Sequence, residues 1–183
     1  MTSVTSLRDR ALDAAIELLG TQGLKALTHR RIDQHAQLPP GSTSNYFRTR
    51  DALLTGVAGA IVEREMAAAG AAFAPKSPDE FLDALVALVD RVTRDQRTVT
   101  TARLVLFMEA SHDPSLRNAL WHGRALIAAA LEPVLRGLGA RDPHTSAGAL
   151  MACSEGIILH RIARHDDTDV RPVLGLVMKA ALA

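Results

Sequence analysis

From residue 7 onward the apolar positions recur at helical spacing. Ala11, Leu12, Ala15, Ile16, Leu18 and Leu19 keep the i, i+3/i+4 rhythm of a core-facing stripe. The pattern predicts a helix from Leu7 to about Thr21, capped by Ser6 and stopped near Gly23. Thr28 is placed to cap a second helix, which carries Ile32 and Ala36 inward and Arg30, Arg31 and Gln34 outward. Pro39-Pro40 then breaks the chain. A residue before proline is pushed out of the α region, so Pro39 is non-helical, and Pro40 suits the first position of a third helix. That helix has room for about two turns, because Phe47-Arg48-Thr49-Arg50-Asp51 reads as the next connection and helix start.

A long Ala/Leu/Val-rich helix follows over 51–73, closed by Pro75 and Pro78. Further helical segments are predicted at 79–95, 98–111, 114–138, 143–165 and 169–182. Asp113-Pro114 and Asp142-Pro143 each pair a capping side chain with proline at the first helical position. Gly137 and Gly139 supply the preceding stop. No strand alternation or internal repeat interrupts the series. The predicted fold is all-α with about nine helices, a three-helix head in 1–50 and a helical-bundle body in 51–183.

Composition narrows the class. The chain has 183 residues, 48% hydrophobic and only 3% aromatic, a balance that favours helix over sheet. No apolar run approaches the roughly 20 residues of a membrane span, and the N-terminus is polar, so a cytoplasmic protein with no membrane partner is expected. The single cysteine, Cys153, excludes an internal disulfide and a multi-cysteine zinc site, and reads as a buried thiol. Glu109 and His112 have the Glu-x-x-His spacing of di-iron bundles, yet the second copy such a site needs is missing. No metal, no cofactor and no catalytic residues are expected.

Charge is uneven. Residues 1–50 hold seven Lys/Arg against four acids, net +3, while the remainder carries net −2. A positive head on a slightly acidic body fits an electrostatic footprint confined to one end. Within that head, Ser42, Thr43, Ser44, Asn45 and Tyr46 form a short helix with almost nothing to pack except Phe47. A helix that shows small hydrogen-bonding side chains outward can lie in a DNA major groove and reach base edges.

The first 50 or so residues resemble the DNA-binding head of the TetR family of bacterial repressors, a helix-turn-helix. The resemblance rests on Ala14-Ala15, Gly23, Thr28 four residues before Ile32, Ala36, Leu38, Gly41, Tyr46-Phe47, Arg50-Asp51 and Leu53-Leu54. It implies that Thr28 caps its helix and holds a phosphate, and that Gly41 allows close approach to the DNA backbone. It further implies that Ser42, Ser44 and Asn45 face the groove, that Tyr46 and Arg50 bind phosphates, and that Thr43 and Phe47 point back toward the first helix. Arg30 and Arg31 are additional candidates for phosphate contact. The chain departs from the family pattern at Pro39, Pro40 and Ser44, where serine, lysine and tyrosine are common.

The resemblance also implies a homodimer on a near-palindromic operator, released by a small-molecule effector held in the body. Dimer contacts are expected from 143–165 and the last helix. Met66, Phe73, Phe81, Leu104, Phe107, Met108 and Trp121 are the expected apolar lining of the effector cavity, with His112 or Glu109 as polar partners. Two other readings stay open: an architectural DNA binder without a ligand, and a helical-bundle enzyme. The enzyme reading lacks any nucleophile–base pair with usable spacing.

Overall fold

A computed structural model of the chain describes residues 6–69 and 75–183. Its helices are α1 Leu7–Gln22, α2 His29–His35, α3 Ser42–Tyr46, α4 Arg50–Ala69, α5 Pro78–Thr93, α6 Arg97–Glu109, α7 Pro114–Gly137, α8 Pro143–Arg164 and α9 Arg171–Ala181. A 3-10 turn, Leu24–Ala26, leads into α2. The protein is all-α, and the described residues form nine α-helices and no strand. None of the described helices is long and apolar enough to cross a membrane.

Local signals explain most helix starts. The Ser6 hydroxyl oxygen accepts the Asp9 amide at 3.1 Å, and Thr28 accepts the Arg31 amide at 3.3 Å. Asp113 takes the Ser115 and Leu116 amides at 2.8 and 3.0 Å, and Asp142 takes the Thr145 amide at 3.1 Å. Each cap satisfies amides that the first turn of a helix leaves without partners.

Packing divides the chain into two compact units, Met1–Glu63 with Thr98–Trp121, and Arg64–Arg97 with His122–Ala183. The predicted 1–50 head lies within the first. Its core is the α1 stripe (Leu12, Ala15, Ile16, Leu19) closed by Ile32, Phe47, Leu53, Leu54, Ile61 and Leu106. Gly20 of α1 sits against the Thr98 backbone of α6, so closely that a Cβ would overlap the Thr98 carbonyl oxygen.

The second unit packs Phe81, Leu85 and Val89 of α5 with Leu131 and Leu135 of α7, Leu150 of α8 and Leu174 of α9. The buried Arg161 guanidinium ties α8 to α5 and to the segment that precedes α9. It donates to Asp90 at 2.5 Å, to the Thr93 hydroxyl at 3.2 Å and to the Thr168 carbonyl at 3.2 Å. Cys153 is half-buried, and burial pushes its thiol pKa up, which disfavours the reactive thiolate.

Candidate nucleic-acid interface

The segment joining α2 to α3 does not fold as its prolines suggest. Pro40 does not begin α3: the helix starts two residues later, at Ser42. The Ser42 amide donates to the Pro39 carbonyl at 3.1 Å, closing a turn with Pro40 and Gly41 at its centre. Gly41 has φ 89° and ψ −6°, the values that the second central residue of a type II turn requires, with proline favoured just before it. Glycine is needed here for its left-handed backbone. A second left-handed residue, Gln37 at φ 52°, ends α2 without being glycine. Its carbonyl and that of Ala36 accept the Arg10 guanidinium at 3.3 and 2.7 Å, so α1 caps the end of α2.

The turn consumes Ser42. Expected to face the groove, this residue is buried, and its hydroxyl donates to the Pro39 carbonyl at 2.6 Å. Its position at the start of the helix, just after the Pro40-Gly41 turn, brings the hydroxyl over the Pro39 carbonyl. Ser44, Asn45 and Tyr46 are exposed on α3. The Ser44 hydroxyl donates to the Gly41 carbonyl at 2.8 Å, which leaves its oxygen able to accept.

What holds α3 was not visible in the sequence. Its N-cap is Gly41, which has no side chain to cap with. The capping carboxylate comes from Asp33 of α2. One oxygen accepts the Thr43 amide at 2.8 Å and the Thr43 hydroxyl at 2.5 Å, and the other accepts the Gly41 amide at 2.8 Å. Burial pushes the Asp33 pKa up. Hydrogen bonds from Thr43 and Gly41, with His29 nearby, outweigh it and hold the carboxyl below its ordinary value. At the other end of α3, His29 Nε2 stands 2.6 Å from the Phe47 carbonyl. A carbonyl only accepts, so Nε2 carries the proton. The Phe47 ring is buried with the Arg8 guanidinium 5.7 Å from its centroid, and it packs so tightly on Gly56 that a Cβ there would overlap it.

The cationic candidates Arg30, Arg31 and Arg50 are exposed. Arg50 opens α4 and directs a nitrogen at the Leu27 carbonyl, 3.5 Å away. Arg31 is held by Gln22 at 2.5 Å, whereas Arg30 and Thr28 are exposed at the start of α2. Ser44, Asn45, Tyr46, Arg50, Thr28, Arg30 and Arg31 all belong to the first compact unit and to neighbouring elements of it.

The expected effector-lining residues divide between the units. Phe81 is fully buried in the core of the second unit, which also contains Met66. Leu104 is half-buried in the first unit, and Phe107, Met108, His112 and Trp121 are exposed there. Phe73 lies outside the described residues. No group of three or more His, Cys, Asp or Glu side chains that could hold a metal ion occurs among the described residues.

Comparison with known proteins supplies the family. Residues 11–57 match the profile described as bacterial regulatory proteins, tetR family. Residues 76–182 match the profile of the tetracyclin repressor-like C-terminal domain. No curated protein matches this chain. Among solved structures, a transcriptional regulator from Rhodococcus sp. Rha1 shares the fold, with TM-score 0.83, 20% identity, and coverage of 97% of this chain and 96% of that one. A TetR family member from Streptomyces coelicolor A3 is 26% identical, with TM-score 0.76 and coverage of 97% and 99%. The multidrug binding protein EbrR, complexed with imidazole, is also 26% identical, with TM-score 0.73 and coverage of 97% and 96%. With both halves of the chain matched and an exposed helix-turn-helix in place, the chain belongs to the TetR family and is a transcriptional regulator.

Proposed function

We propose that this regulator is a repressor whose head reads a near-palindromic operator as a homodimer and is released by a small, mainly apolar molecule held in the body. The observation that carries the DNA-reading part is α3 itself, buried on the Thr43 and Phe47 side and exposed at Ser44, Asn45 and Tyr46. With Ser42 turned inward, base discrimination falls on Asn45, whose amide can pair with an adenine edge, and on the Ser44 oxygen. Arg50 and Tyr46 take flanking phosphates, with Thr28, Arg30 and Arg31 at the start of α2.

Asn45→Ala is expected to relax choice at one base position per half-site, a loss of about 1–3 kcal/mol of discrimination. Arg50→Ala is expected to weaken binding to all sequences alike and to lower the salt slope by about 1 per contact. Affinity measured on operator and random duplexes over a salt series separates the two. Equal loss on both duplexes for Asn45→Ala reverses this assignment of roles.

The dimer reading draws on α8 and α9, which leave Leu159, Val173 and Leu176 exposed. A groove of about 410 Å³ between the start of α8 and the end of α9 is lined by Ala149, Leu176, Val177 and Ala180. A matching pair of helices from a second copy would cover such a surface in a four-helix interface. Light scattering at micromolar concentration is expected to give twice the chain mass, and a monomer's mass overturns this part. The effector reading draws on the likeness to EbrR, a multidrug binding protein, and on apolar side chains left exposed at Phe107, Met108 and Trp121. An effector that prefers one pose of α4 would shift the spacing of two heads. A coupling of about 1–3 kcal/mol suffices for a switch.

A further inference from the structure

We propose that Asp33 and His29 are the positioning residues of the DNA-reading helix: four residues apart on α2, they grip α3 by its two ends and set the pose in which Asn45 and Ser44 meet DNA. The proposal rests on the DNA-reading role given to α3 above.

A helix of five residues cannot hold itself, because fixing its first turn costs more than one or two intrahelical hydrogen bonds return. Two such bonds are present at its ends, Asn45 to Gly41 at 3.1 Å and Phe47 to Thr43 at 2.9 Å. The remaining restraint comes from α2. Asp33 places a buried carboxylate at the positive end of α3 and takes up three donors there. His29 donates to the Phe47 carbonyl at the negative end, on the residue that caps the helix. Opposite polar groups therefore meet both ends of the helix dipole from one rigid element. Thr43 is fully buried, so loss of the carboxylate strands its amide and hydroxyl without an acceptor. A buried carboxylate touches no phosphate or base, and its influence on DNA must pass through α3.

If α3 spends only a fraction of its time in the reading pose, apparent affinity for the correct sequence falls by that fraction. Attraction to the phosphate backbone does not fall with it, because the exposed arginines are unchanged. The test uses the full chain and two DNA probes: the duplex most enriched when the wild-type protein selects from a randomised library, and poly(dI-dC). Asp33→Ala, and Asp33→Asn with nearly unchanged volume, are expected to bind the selected duplex at least about tenfold more weakly. Binding to poly(dI-dC) should stay within about twofold, with the same salt slope. Exchange of the Thr43 amide hydrogen should speed up. His29→Gln, whose amide can still donate to the Phe47 carbonyl, should keep more discrimination than His29→Ala. Unchanged preference in both Asp33 variants overturns the proposal, and so does equal loss on both probes with a lowered melting temperature, which marks mere unfolding. A wild-type protein that enriches no duplex over poly(dI-dC) removes the DNA-reading role first, and is told apart by needing no variant.

Discussion

Phe81→Ala is expected to destabilise the second compact unit by about 3–5 kcal/mol, the usual cost of truncating a fully buried phenylalanine. The ring is completely covered, among Leu135, Leu150 and Leu174, each no more than 1% exposed. This core draws its side chains from three other helices as well, so the space left behind cannot close by the shift of one element, and a sizeable cavity contribution is expected. Denaturant unfolding followed by far-UV circular dichroism checks this, with the loss confined to the transition of the second unit. A loss under about 1 kcal/mol would show that the site relaxes freely. The contrast is Leu104→Trp on α6, a half-buried position proposed to line the effector site. That variant should bind operator as the wild type does, yet no longer let go when the releasing molecule is added. Release as in the wild type removes Leu104 from the effector lining.

The second large effect inverts a familiar rule. Glycine to alanine inside a helix ordinarily stabilises by about 0.5–1 kcal/mol. Gly59 of α4, with nothing within 4 Å of its added Cβ, should show that gain. Gly20→Ala should show the opposite. The new methyl would overlap the Thr98 carbonyl oxygen, with the Thr98 Cγ2 at 2.8 Å and its carbonyl carbon at 2.9 Å. A backbone oxygen cannot swing aside as a side chain end can, so α1 and α6 must separate. Overpacking of this kind costs about 1–3 kcal/mol, which exceeds the propensity gain. Thermal melts of the two alanine variants should move in opposite directions. Two shifts of the same sign would show that the approach of Gly20 to Thr98 is not tight.

The helical class, the position of nearly every helix and the family are legible along the chain, because these are written in short-range signals. The Ser6, Thr28, Asp113 and Asp142 caps each reach only two or three residues along the chain. The α1 stripe is a periodicity that any partner surface would reward. Other features exist only in the folded chain. Asp33 caps another helix only because folding brings Gly41 and Thr43, eight and ten residues on, against its carboxylate. Ser42 read as a groove-facing hydroxyl until the Pro40-Gly41 turn delayed the helix start and directed it inward. Phe81, Phe107 and Trp121 look alike as aromatic residues on helices. The first is fully buried and the others are 54% and 68% exposed, because which side of a helix is covered depends on neighbours distant in sequence. Pattern along the chain specifies what each segment is, whereas burial and hydrogen-bond partnership are properties of pairs of segments and exist only once those segments meet.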